Sequence, residues 1–361
     1  MLSFTINDLL AQARKIGASD LHVAAGAEAK CRVHGELRKI TREPLSAADT
    51  AELIMPMVPE RLRASLDETG EADFSHAIPG NGRFRVNVLK QKGALGTVIR
   101  LISTEIPSAE SLGLPPSVVE LTKKKRGLVL VTGPTGSGKS TTLASLIDII
   151  NTERAEHIIT MEDPIEYEHF HKASIINQRE VGMDTMSFSA ALRAALREDP
   201  DVILVGEMRD LETISSAITA AETGHLVFST LHTIGAAATV DRVIDVFPPH
   251  QQQQIRVQLA NVLISVISQS LIPTRDGKGR VAAFEIMHTT PAIQNLIREN
   301  KTHQISSSIQ TSKNMGMITM DDAIYKLYND GKIDSTQALD CLLYTSPSPR
   351  DRSLSRMPSS A

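Results

Sequence analysis

The chain has 361 residues, of which 41% are hydrophobic and 3% aromatic with no tryptophan, and it carries a formal charge of −4. That length suits roughly two domains, and the apolar share is that of a globular protein; the acidic balance and few aromatics weigh against a nucleic-acid binder, which needs basic excess and stacking platforms. Two distant cysteines, Cys31 and Cys341, cannot form a four-ligand zinc site, and with no membrane-length apolar run or signal peptide a cytoplasmic protein is expected.

Residues 1–103 read as a first domain. Residues 4–17 have the pattern of an amphipathic helix closed by glycine, 20–23 and 31–33 of short strands, and 47–57 of a helix. Residues 82–88 and 94–100 alternate polar and apolar side chains, as strands of a half-exposed sheet do. Residues 104–120, with their serines and the Pro115-Pro116 pair, read as an interdomain linker. The cluster Lys123-Lys124-Lys125-Arg126 reads as a solvated helix end rather than a binding patch.

From Gly127 strands and helices alternate. Strands are expected at 128–132, 157–161, 202–206 and 225–230, and helices at 139–150, 187–198, 210–223 and 235–245. This order predicts an α/β domain over 121–340, built on a parallel sheet flanked by helices. Residues 251–271 read as one long helix, because Ile255, Leu259, Val262, Leu263, Val266 and Ile267 keep helical spacing. A turn follows at 276–279, then shorter helices. Residues 341–361 change abruptly to Ser, Pro and Arg without periodicity; they read as a disordered, non-native tail that includes Cys341.

Chemistry concentrates behind the first of the apolar strands. Gly133-Pro134-Thr135-Gly136-Ser137-Gly138-Lys139-Ser140 fits the phosphate-loop pattern at every position, with Thr141 opening the helix behind it. Glycines let the backbone wrap phosphate oxygens, so that N–H groups and a helix N-terminus face the anion. Lys139 can reach the β- and γ-phosphates, and the Ser140 hydroxyl can hold Mg²⁺. The expected ligands are ATP and Mg²⁺.

A triphosphatase also needs a carboxylate near the metal and a group that orients water. Strand 202–206 ends in Glu207, with Gly206 where a metal-binding aspartate often stands. Strand 157–161 exits into Glu162-Asp163-Pro164-Ile165-Glu166, more acids than a turn needs. His225 and His232 bracket the strand 226–230, and His232 can sense a γ-phosphate or touch the neighbouring acid.

These segments, in this order, resemble the Walker A, Asp box, Walker B (196–210) and His box (223–233) of the type II/type IV secretion ATPases. Across about residues 5–340 the chain is similar to the branch that retracts type IV pili, including Gly17-Ala18-Ser19-Asp20-Leu21-His22 and Gly82-Arg83-Phe84-Arg85-Val86-Asn87. Ala292, Ile293, Asn295, Leu296, Ile297 and Arg298 resemble that branch's retraction motif, with Gln294 where the motif has arginine.

The resemblance implies a homohexamer of two-domain subunits, a PAS-like α/β domain before a RecA-like ATPase domain, with ATP between the two. It implies Glu166 as the water-activating base, Glu207 beside Ser140 at Mg²⁺, and Arg83, Arg85 and Arg100 reaching the phosphates. It further implies a motor for pilus retraction and twitching motility that couples hydrolysis to domain rotation. Its partner would be an inner-membrane platform protein, which would hold it at the cytoplasmic face, with no nucleic acid and no membrane insertion. The alternatives are an accessory retraction ATPase and a RecA-like nucleic-acid motor. Assembly ATPases of the same machines are longer and carry a four-cysteine zinc site.

Overall fold

A computed structural model describes residues 2–345 except His34, Thr104 and Lys278, with the backbone alone for 343–345. The chain divides into two compact units, one of residues up to 105 with Glu166–Glu168, the other of Ile106–Ile165 with residues from His169 onward.

The first unit opens with helix α1 (Ile6–Lys15), whose start is set by a reciprocal Thr5–Asp8 capping box. It buries Ile6, Leu9, Leu10 and Ala13. Strands β1 (Asp20–Val23), β2 (Lys30–Val33) and β3 (Glu36–Lys39) precede helices α2 (Ala47–Ile54) and α3 (Glu60–Thr69). Strands β4 (Glu71–Ile78), β5 (Gly82–Gln91) and β6 (Ala94–Leu101) complete an antiparallel sheet in the order β3-β2-β1-β6-β5-β4. Alternation along β5 sends Phe84, Val86 and Val88 into the core and leaves Arg85 and Asn87 exposed. The polar α3, the fully exposed β3 and strand β4 lack the sharp pattern that marks β5, and were not expected.

The second unit begins with the segment expected to be a linker. It is instead packed structure: Pro116 sits at the first position of a short helix α4 (Pro116–Val119), and Leu114, Val118 and Leu121 are buried against β7 and α5 residues. Strand β7 (Gly127–Thr132) and helix α5 (Lys139–Glu153) flank the phosphate loop. Then come β8 (His157–Glu162), β9 (Ile175–Glu180), α6 (Phe188–Ala195), β10 (Val202–Val205), α7 (Leu211–Glu222), β11 (Leu226–Leu231), α8 (Ala236–Asp245) and α9 (Pro249–Val262). The chain continues through β12 (Leu263–Pro273), β13 (Arg280–His288), α10 (Pro291–Arg298), α11 (Ile305–Thr311), α12 (Met320–Asn329) and α13 (Ser335–Thr345). The seven-stranded sheet runs β13-β12-β7-β11-β10-β8-β9, parallel throughout except for β13. Every residue of β7 and β11 is buried, which explains their unbroken apolar runs.

Two further expectations fail in this unit. The long helix 251–271 ends at Val262, and the rest belongs to the interior strand β12 between β7 and β13. Leu263, Val266 and Ile267 kept helical spacing only because a strand buried on both faces carries apolar residues on both, which periodicity alone cannot tell from a helix. The boundary expected at Cys341 fails: α13 runs through Cys341, and Leu342 is buried beside Ile272, Ile324 and Ile333. The rest of the expected tail, 346–361, lies outside the described residues. The basic cluster is solvent-facing, with Lys123 paired to Glu120 and Lys125 to Glu156.

Candidate active site

Parallel registers place the ends of β7, β8, β10 and β11 at one edge of the sheet. Val205 lies beside Met161 and Ser229, and Leu231 beside Thr132, so residues 133–138, 162, 206–209 and 232 leave the sheet on that edge. Open parallel sheets bind ligands at this carboxyl edge.

Three motifs meet there through side chains. His232 Nε2 is 3.1 Å from Glu207 Oε1, and its Nδ1 is 3.5 Å from Thr135 Oγ1 in the phosphate loop. Arg209 donates to Glu207 twice, Nε to Oε1 at 2.5 Å and Nη2 to Oε2 at 2.6 Å. Burial pushes the Glu207 carboxyl up, but the Arg209 hydrogen bonds and the charges of His232 and Arg209 outweigh it. Glu207 is held below its ordinary value, an ionised acid. Its side chain is 17% exposed and that of Arg209 is 77% exposed, so the arginine reaches it from the solvent side.

Gly206 stands where other phosphate-loop proteins carry an aspartate, and a side chain there would fit only tightly. A Cβ there would meet the Met161 carbonyl at 3.0 Å and Glu162 Cα at 3.3 Å. The Gly206 carbonyl is held by Thr230 Oγ1 at 2.6 Å, which fixes the backbone leading to Glu207. Glu162 accepts from Thr160 Oγ1 at 2.7 Å and from Gln178 Nε2 at 3.1 Å. It is a braced carboxylate rather than a solvated turn acid.

The phosphate loop rests on β12. A Cβ on Gly133, whose φ is +142°, would stand 2.2 Å from the Gln269 carbonyl oxygen. The Gln269 side chain accepts from Thr142 Oγ1 at 2.8 Å, with both residues buried. Lys139 Nζ donates to the Gly133 and Pro134 carbonyls at 2.9 and 3.1 Å, so its ammonium lies within the loop it serves.

The residues present suit a polyphosphate with a hard cation. Ser137 Oγ is buried with no hydrogen-bond partner, an orphaned donor inside the loop. Helix α5 starts at Lys139 with no side chain capping it, so its N-terminus presents backbone donors and the positive end of its dipole. Among the described residues no group of three or more His, Cys, Asp or Glu side chains could hold a metal. A cation here would rest on one or two protein oxygens, those of Ser140 and Glu207, together with substrate phosphates, the usual habit of Mg²⁺.

Other expected site residues stand elsewhere. His225 precedes β11 at the opposite edge, where its backbone carbonyl bonds Gly127 N–H and its Nδ1 lies 2.8 Å from the Ala220 carbonyl. It joins α7 to the sheet, at the edge away from Glu207 and His232. Glu166 groups with the first unit, as do Arg83, Arg85 and Arg100. There Arg85 pairs with Asp73 at 2.8 Å and Arg100 with Asp20 at 3.2 Å, while Arg85 and Arg100 face each other across β5 and β6. In α10, Ile293 and Ile297 are core residues, and Leu296 packs beside them. Arg298 donates to Asn261 at 2.8 Å and to Asn295 at 3.1 Å, while Ala292 and Asn295 are exposed. The motif is therefore half core and half surface.

Sequence reading missed Gln269, Gln178 and Thr230. Gln269 was hidden inside the misread helix, and Gln178 lies on β9, an edge strand with no apolar alternation to announce it.

Residues 1–331 match the model of the type II/IV secretion system protein family. The chain is 52% identical over 333 residues to the type IV pilus retraction ATPase PilT of Pseudomonas aeruginosa, covering 92% of this chain and 96% of that one. It is 50% identical over 302 residues to a twitching motility protein of Neisseria gonorrhoeae, covering 84% of this chain and 81% of the other. The crystal structure of the pilus retraction motor PilT with bound ADP superposes with a TM-score of 0.89 at 49% identity, over 98% of this chain and all of that one. Fold, carboxyl-edge site and relatives agree: this chain belongs to the type II/IV secretion system protein family, as one of its ATPases.

Proposed function

We propose that this chain is a hexameric, Mg²⁺-dependent ATPase motor that powers retraction of type IV pili. The observation that carries the reading is the continuous chain Thr135–His232–Glu207–Arg209, which ties the phosphate loop to the Walker B and His box strands. Likeness over nearly the full chain to the PilT structure with bound ADP supports it.

In this reading the loop's N–H groups, Ser137 and Lys139 hold the phosphates, and Ser140 and Glu207 would hold Mg²⁺. The cation would neutralise developing charge on the phosphoryl oxygens. Glu166 takes the proton of the attacking water, and Glu162 stands by as a braced second acid. His232 reads the γ-phosphate and passes its presence to Glu207, while Arg83, Arg85 and Arg100 stabilise charge from the first unit. Loss of the γ-phosphate relaxes these contacts and drives domain rotation. The polar face of α10 serves transmission to an inner-membrane platform protein. Among the described residues no helix is long and apolar enough to cross a membrane; in this reading the platform protein holds the motor at the membrane face.

The test is expression in a pilus-bearing strain lacking its own retraction motor. Wild type restores retraction, and Lys139→Ala does not. Rescue only alongside a resident motor would assign the chain as an accessory ATPase. Tight binding of single-stranded DNA at physiological salt, without rescue, would instead favour a nucleic-acid motor.

A further inference from the structure

Strand β9 lies at the edge of the sheet and carries none of the motifs, yet two of its side chains reach the acidic segment after β8. Pairing of β8 with β9 sets Glu180 opposite Glu162. Glu180 is only 3% exposed, an unusual place for a carboxylate unless hydrogen bonds hold it there. Its Oε2 accepts the main-chain N–H of Ile165 at 3.2 Å, one residue before Glu166. Glu180's own N–H donates to Asp184 at 2.8 Å, which ties the end of β9 to the following turn.

Gln178, two residues earlier on the same strand, reaches the start of the acidic segment and the main chain just beyond it. Its Nε2 donates to Glu162 Oε1 at 3.1 Å, and its Oε1 accepts the main-chain N–H of His169 at 2.7 Å. The path from Glu162 to His169 is thus fastened at Glu162, Ile165 and His169 by one strand. Only residues 166–168 lie between the last two fastenings.

We infer that Glu180 and Gln178 are positioning residues for Glu166: β9 holds both flanks of the segment that carries the water-activating carboxylate. The inference rests on the proposed role of Glu166 as base. A general base acts only within hydrogen-bond reach of the proton it takes, about 2.6–3.2 Å. Misplacement of a catalytic group by 1 Å can cost on the order of 10²-fold in rate. Fixing the main chain on either side of Glu166 removes the freedom that would allow such drift. A carboxylate accepting a backbone N–H makes a charge-assisted bond, stronger than a neutral acceptor at the same place.

The experiment uses the full-length hexamer and compares Glu180→Gln, which keeps an acceptor, with Glu180→Met, which keeps length and removes it. Each substitution is made alone and on Glu166→Gln, whose slow residual hydrolysis is followed in single turnover. Glu180→Met is expected to lower kcat by about 10–100-fold with ATP KM unchanged, consistent with a partial misplacement. Glu180→Gln should stay within about threefold of wild type, since its oxygen still accepts the Ile165 N–H. On Glu166→Gln, Glu180→Met should cost nothing more, because residues acting through one group are non-additive.

If the loss with Glu180→Met recurs in full on Glu166→Gln, or shows in KM rather than kcat, the positioning role is overturned. Wild-type turnover in Glu180→Met overturns it too. Wild-type turnover in Glu166→Gln is a separate result, which refutes the base assignment beneath. Should Glu180→Met fail to assemble, Gln178→Met cuts the other fastening and is read by the same three measures.

Discussion

Replacing Gly133 by alanine tests whether β12 builds the phosphate loop. The added Cβ would stand 2.2 Å from the Gln269 carbonyl oxygen and 2.7 Å from Ser137 Oγ. The serine can turn away, but the carbonyl belongs to a strand hydrogen-bonded on both sides. The loop must therefore move outward by roughly an ångström to reach ordinary contact. Overpacking of this kind costs about 1–3 kcal/mol, and a strained φ of +142° adds about 1–3 kcal/mol. Together that is about 2–6 kcal/mol, and at about 2–4 °C per kcal/mol for a unit of this size the melting midpoint should fall by about 4–24 °C. Donors shifted by that distance should lose on the order of 10²-fold in turnover. Gly136→Ala is the control, since the same loop has φ +80° there and nothing within 4 Å of the new Cβ. Only the conformational term remains, about 1–2 kcal/mol. Differential scanning fluorimetry, fluorescent-nucleotide binding and ATP turnover would be measured on both. Equal effects of the two substitutions, or Gly133→Ala within about 2 °C and threefold of wild type, would refute the argument.

Within the acidic segment, Glu166→Gln should bind ATP near-normally yet hydrolyse it about 10²–10⁴-fold more slowly. A collapse in Glu162→Gln but not in Glu166→Gln would move the base to Glu162. Acid should destabilise the fold through His169, whose pKa burial pushes down to about 4, with Asp148 opposing and Lys172 assisting. Below an unfolded value near 6.5 the unfolded chain takes up a proton that the native one refuses, so stability falls from about pH 6.5 to about pH 4. That loss is about 3 kcal/mol for this residue, and His22, His76 and His288, also pushed down by burial, act in the same direction. His169→Phe should flatten the dependence of the melting midpoint on pH, and an unaltered slope would count against it. Ending the chain after Asp340 rather than after Thr345 should cost about 1.5–3 kcal/mol, because Leu342 is buried in a small core. Identical melting curves for the two truncations would show that α13's last turn contributes nothing.

What the chain declares by itself is local. Gly133 to Ser140 is a contiguous backbone motif whose neighbours β7 and α5 announce themselves as a buried apolar run and a following helix. The seven-residue spacing of His225 and His232 already sets them at opposite ends of one strand, and only His232 meets Glu207. Most parallel strands were legible because burial on both faces leaves them uniformly apolar. The same property hid β12, since Leu263, Val266 and Ile267 satisfy a helical stripe as well as a doubly buried strand. With β12 went Gln269, whose bond to Thr142 spans 127 residues of sequence. Strand β9, where Gln178 and Glu180 grip the acidic segment, could not be read from its own pattern, because an edge strand buries little. The identity of a phosphate loop is written in neighbouring residues, whose geometry the backbone alone dictates. Which distant side chains hold it and its acids in place is decided only by strand order and register, since those bring remote segments together.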